Sequence, residues 1–111
     1  MNRKLAGTLS AIATTAALIV LTPAAAQAAS DCATLGDPSG GSAHVCKSWN
    51  ATGGGYYNGT WSVGVTTSLT YVQKYEDGRV TSVSGSGSYT HVKSFHMRAC
   101  SSTTHQCSGW W

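Results

Sequence analysis

Four cysteines, four histidines and four carboxylates are the groups with which this 111-residue chain could do chemistry. Glycoside hydrolysis needs two carboxylates opposed across a cleft. Asp31 and Asp37 fall in one amino-terminal stretch and Glu76 adjoins Asp77 in another, so that arrangement is hard to build. A nucleophilic serine needs a strained elbow or an oriented histidine beside it. The nearest strings, Gly40-Gly41-Ser42-Ala43-His44 and Gly85-Ser86-Gly87-Ser88, lack the Gly-x-Ser-x-Gly spacing. No catalytic residue is assigned, and the chain is expected not to be an enzyme. Of the histidines, His91 and His96 are five apart and point to opposite faces of an unbent strand, whereas His44 and Cys46 share a face. A zinc site on those cysteines would compete with their oxidation, and neither metal nor cofactor is expected.

The compartment follows from the amino terminus. Arg3 and Lys4, an apolar stretch from Leu5 to Leu21, Pro23 and then Ala26-Gln27-Ala28 have the order of a secretory signal peptide with its cleavage site. Residues 1–28 are read as that signal and 29–111 as one small domain, secreted and extracellular. Export favours disulfides among Cys32, Cys46, Cys100 and Cys107. Four cysteines allow three pairings, and short loops favour Cys32 with Cys46 and Cys100 with Cys107. In the chain-entropy model the first loop contributes roughly 3 kcal/mol. Crossed pairings stay open if two long strands bring the termini together.

The expected mature part carries Lys47, Lys74, Arg79, Lys93 and Arg98 against the four carboxylates, five against four, for a net charge of +1. That balance supplies no basic stripe for a phosphate backbone, so nucleic acid is not the expected partner. After Leu21 no apolar run approaches the roughly 20 residues of a spanning helix. No membrane span is expected once the signal is removed.

The elements that must position these residues read as strands. Asp37-Pro38-Ser39-Gly40-Gly41-Ser42 is a turn cluster, and Ala29 to Ala43 reads as a loop tethered by Cys32. His44 to Asn50 alternates as a short strand, and Gly53-Gly54-Gly55 breaks it. From Tyr57 the alternation puts Tyr57, Trp61, Val63 and Val65 on one face and Thr60, Ser62, Gly64 and Thr66 on the other, a half-buried strand. It continues through Leu69, Tyr71 and Tyr75, with Thr66-Thr67-Ser68 as the one candidate bend. Asp77-Gly78 between β-rich runs predicts a two-residue hairpin pairing Glu76 with Arg79, Tyr75 with Val80 and Val72 with Val83. Extended outward, that register sets Phe95 against Thr60, or against Trp61 if Gly85-Ser86-Gly87 holds a bulge. Tyr89 to Cys100 reads as one long strand with neither side cleanly apolar, and Gln106 to Trp111 as a short terminal strand. No helical periodicity follows the signal. The expected fold is all-β: a small antiparallel meander forming a sandwich or partly open barrel, linked by disulfides.

Aromatic side chains are the better functional candidates, because Tyr and Trp give rigid apolar area with a polar handle. Tyr56 and Tyr57 beside the glycine run and the terminal Trp110 and Trp111 are the candidate binding residues; Trp49 and Trp61 are expected in the core. The sequons Asn50-Ala51-Thr52 and Asn58-Gly59-Thr60 carry little weight, since the Ala- and Thr-rich signal has a bacterial character.

With its Ala-rich signal and the ending Met97-Arg98-Ala99-Cys100 to Cys107-Ser108-Gly109-Trp110, the chain resembles small secreted actinobacterial disulfide-containing β-proteins of uncharacterised function. The same ending is similar to that of some fibronectin type III domains. Gly59-Thr60-Trp61-Ser62-Val63-Gly64-Val65 resembles the start of lactococcin-972-like bacteriocins, which implies a small toxin acting on competitor cells. The expectation adopted is a secreted non-enzymatic binding module for an extracellular protein or a glycan. Two functions of a different class stand behind it: the bacteriocin-like toxin, and a small extracellular enzyme inhibitor presenting the Ser101 to Gln106 loop. Secreted material should have the intact mass of residues 29–111 less four hydrogens; retention of the first 28 residues, or thiols open to alkylation, would contradict this reading.

Overall fold

The computed structural model describes residues 28–111, so the expected signal peptide lies outside the described residues apart from Ala28. Seven strands follow: β1 (Ala29–Gly36), β2 (Ser42–Gly53), β3 (Tyr56–Thr66), β4 (Thr70–Glu76), β5 (Arg79–Val83), β6 (Ser86–Val92) and β7 (Phe95–Ser101). They form two antiparallel sheets, one of order β1-β2-β3-β6 and one of order β5-β4-β7. Leu35, Ala43, Val45, Trp61, Tyr89 and Val92 from the first sheet meet Val72, Phe95, Met97 and Ala99 from the second in one core. The fold is therefore all-β and antiparallel, as the alternation implies. Among the described residues no helix is long and apolar enough to cross a membrane.

Two turns follow directly from residue type. Asp77 and Gly78 both take positive φ, 47° and 96°, and the hairpin pairs Glu76 with Arg79, Tyr75 with Val80 and Val72 with Val83. This is the register that a two-residue type I′ turn demands. Gly53, Gly54 and Gly55 all take positive φ and turn β2 into β3. Cys32 lies directly opposite Cys46 in the β1–β2 ladder, and the disulfide joins that pair; the second joins Cys100 to Cys107.

Five expectations are corrected. Ala29 to Gly36 is not a tethered loop but an edge strand with eight paired positions. Its single-sequence signal is weak because only Leu35 is buried and Ala33 half-buried, so pairing and the disulfide decide its state. Tyr89 to Cys100 is not one strand. His91 adopts φ 55°, and the Asp77 carboxylate accepts the main-chain N–H groups of Lys93 and Ser94, so the chain leaves the first sheet there and enters the second at Phe95. That change of sheet explains why neither side reads as apolar over the whole stretch: β7 by itself buries Phe95, Met97 and Ala99 in alternation, with Cys100 and Ser101 buried at its end. Phe95 accordingly pairs with Glu76 rather than with Thr60 or Trp61, and Trp61 pairs with Gly87. Val65, assigned to the apolar face, is 82% exposed because β3 is about to leave its sheet there. The bend expected at Thr66-Thr67-Ser68 is where the chain crosses from β3 to β4, with Leu69 at φ 64°. The terminal segment follows β7 through a Cys100–Cys107 bridge and main-chain hydrogen bonds of Ser108 to Ala99 and of Trp111 with Met97, without a continuous ladder.

The β1–β2 turn is locked to the β3–β4 crossing by one carboxylate. Asp37 accepts hydrogen bonds from the Ser39 N–H at 2.7 Å, the Gly41 N–H at 3.2 Å and the Thr70 hydroxyl at 2.9 Å. Gly41 is obligatory, since a β-carbon would run into Thr70 and Asp37. Burial acts to raise the Asp37 pKa, but the hydrogen bonds outweigh it and hold the group below its ordinary 3.8. A carboxyl group with a depressed folded-state pKa adds stability above its unfolded value and loses it as pH falls through the folded one. Asp37→Asn should therefore lower the urea midpoint near neutral pH, and its deficit relative to wild type should narrow below about pH 4. A deficit independent of pH would refute the account.

Candidate functional site

β2 and β3, with 12 and 11 residues, are longer than the seven-residue strands β4 and β7 that cover them. The uncovered inner face leaves a cleft of about 270 Å³ between the sheets. Its back wall is Tyr89, Val92 and Phe95, all core residues; Trp49 and Tyr57, half-buried, are also in its lining. Lys47, Lys93, Ser94 and His96 complete it, and no acidic residue lines it.

The back wall is built to stay in place. Tyr89 and Phe95 stack with centroids 4.2 Å apart and planes 5° from parallel. The Tyr89 hydroxyl donates to the Ser48 carbonyl at 2.6 Å, and burial, with the charge of Glu76 adding to it, raises the phenol's pKa above its ordinary 10.0. Tyr89 can lie flat because its directly paired neighbour is Gly59, where a β-carbon would come 2.5 Å from the ring. Lys47 is half-buried, its ammonium 4.2 Å from the Trp111 ring centroid. Such a cation–π contact contributes roughly 0.5–2 kcal/mol. Burial pushes the Lys47 pKa below its ordinary 10.5, while the charge of Asp31 works in the opposite direction. Lys93 is exposed, its ammonium 5.2 Å from the Tyr56 ring.

The four candidate binding residues do not form one surface. Tyr57 lines the cleft; Tyr56 lies beside it, stacked on His91 at 3.8 Å. Trp111 packs against the core and adjoins the cleft through Lys47. Trp110 is exposed on the other side of the terminal segment, where Arg98 covers it at 4.1 Å and Tyr75 meets it at 5.6 Å. Trp61 is in the core as expected, but Trp49 is not: it is half-buried in the cleft. Lys47, Trp49, Lys93 and His96 carry no binding signal in the sequence, and only the strand-length mismatch, invisible until the crossings are known, brings them together.

Three of the four carboxylates are engaged in structure. Glu76 pairs with Lys74, Asp77 receives Lys93 and Ser94, and Asp37 receives its turn. Cys32, His44 and Cys46 bring their ligand atoms within 4.8 Å of one another, but the two sulfurs are bonded as a disulfide and offer no thiolate. Within Gly59–Val65, Gly59 makes room for Tyr89 and Trp61 fills the core. The chain matches no protein-family model, no curated protein and no solved structure.

Trp61 and Trp49 separate structure from site. Trp61→Ala should cost roughly 3–5 kcal/mol in urea unfolding, as for a large aromatic removed from a core. Trp49→Ala, which removes a half-buried ring, should cost about 1–2 kcal/mol. Equal losses would place Trp49 in the core after all.

Proposed function

We propose that the chain is a secreted, non-enzymatic binding module whose ligand enters the inter-sheet cleft. The observation that carries this reading is the cleft itself: aromatic walls, two lysines and no carboxylate, on a back wall immobilised by core packing. A few polar groups converging on a preformed apolar pocket is the usual form of a small-ligand site. Two further facts support it. Asp37, Glu76 and Asp77 each have structural partners, which leaves no free pair for acid–base chemistry. Both disulfides are what an oxidising compartment produces, in agreement with the signal-like residues 1–28.

The secreted protein, immobilised, should retain a component of the producer's own culture medium or cell-wall extract. Trp49→Ala should abolish that retention, whereas Trp110→Ala, on the opposite side of the terminal segment, should leave it intact. Retention that survives Trp49→Ala, or that depends on Trp110 instead, would move the site out of the cleft.

A further inference from the structure

We propose that the cleft takes a carboxylate borne on a single aromatic ring, supplied either as a free aryl acid or as the C-terminal residue of a peptide. The inference rests on the reading of the cleft as the binding site and adds the chemistry of its occupant.

Size sets the first limit. About 270 Å³ lies just below the roughly 300–1,000 Å³ of pockets for drug-sized ligands, so one ring with a short substituent fills it. The walls set the second. Trp49 and Tyr57 in front of the Tyr89–Phe95 stack present ring faces and edges, to which an aromatic occupant packs by offset or edge-on contact.

Charge sets the third. Among the described residues the one ion pair is Lys74 with Glu76; Asp31, directly opposite Lys47 in the β1–β2 ladder, acts on its charge without coming within ion-pair distance, and Lys93 has no carboxylate within that distance. Lys47 is half-buried against Trp111 and has lost part of its hydration, as the direction of its pKa indicates. An anion entering beside it replaces that hydration with a charge-assisted hydrogen bond. Lys93 is exposed at the rim, where solvent and salt screen it. One half-buried cation, already partly offset by Asp31, matches no more than one further negative charge; a phosphate dianion would bring a second charge among apolar walls, at a desolvation cost with little return.

The test is an NMR titration of the ¹⁵N-labelled secreted protein with five probes: phenylacetate, phenylacetamide, N-acetylphenylalanine, N-acetylphenylalaninamide and inorganic phosphate. The two acids should shift the Trp49 indole resonance saturably and bind at least about tenfold more tightly than their amides, the effect of one charge-assisted hydrogen bond. Lys47→Met should remove the preference for acid over amide, and Lys47→Arg should keep it. Equal affinity for the two acids points to a free aryl acid, and tighter binding of N-acetylphenylalanine to a peptide end. Acid and amide bound equally by the wild-type protein would overturn the inference while leaving the cleft a binding site. Stronger binding of phosphate than of either acid, or no saturable shift with any probe, would overturn it as well; the retention experiment then decides separately whether the cleft binds anything. Should Lys47→Met lose its resonance dispersion, the wild-type comparison of acids with amides is decisive by itself.

Discussion

Trp61 lies directly opposite Gly87, and two positions along the same pair of strands Tyr89 lies directly opposite Gly59. Each ring occupies the space that its partner's missing side chain leaves: a β-carbon on Gly87 would come 2.6 Å from the indole, and one on Gly59 would strike the Tyr89 ring. The exchange of large for small is reciprocal, and it works in one register only, because a slip of one residue turns the slipping strand's ring out of the core and ends both ring-on-glycine pairs. It fixes β6 beside β3, and hence the first sheet. Tyr89, held flat, gives Phe95 a surface to stack on after the chain has crossed into the second sheet. The join between sheets and the back wall of the cleft are thus the same contact.

How far the sequence shows this depends on whether the determining interaction is local. Asp77-Gly78 specifies its turn through the φ values that two residues must adopt, so the hairpin and its register are legible to the residue. The break at Lys93 and Ser94 is set by a carboxylate 16 residues away, and no local pattern announces it. β1 is a strand because β2 pairs with it, not because Ala29–Gly36 prefers that state. Aromatic content marks a binding function in general terms, but the site needs Lys47 from β2, Tyr57 from β3 and Lys93 from the crossing, and only knowledge of both sheets assembles them. Tyr57 is legible for that reason as an aromatic, and Lys47 is not.

The cleft exists because one sheet is longer than the other. Twelve residues of extended chain span roughly 40 Å and seven roughly 23 Å, so the ends of β2 and β3 outrun the strands that cover them. An uncovered sheet end would normally be polar, as Asn50 to Gly55 indeed is. Immediately inside that polar end sit Trp49 and Tyr57, too apolar for an open surface and too far out for the core. Lys47 is one row further in, with its stem along the inner face and its ammonium on Trp111, the way long cationic side chains cover apolar surface.

This arrangement divides the cleft into a part that can vary and a part that cannot. Tyr89, Val92 and Phe95 belong to the core, and with only ten buried hydrophobic residues in that core any loss among them reaches the whole fold. Trp49, Tyr57, Lys47 and Lys93 bury little or only part of their surface, so a change there alters what the cleft accepts at a modest stability cost. The Cys32–Cys46 disulfide binds β1 to the strand that carries Lys47 and Trp49, and β1 also holds Asp31, whose charge acts on Lys47. Without that bond β1 would be held by its ladder with β2 and by Leu35 in the core, and the disulfide is the covalent constraint on the distance between Asp31 and Lys47. The edge disulfide therefore belongs to the site as much as to the fold.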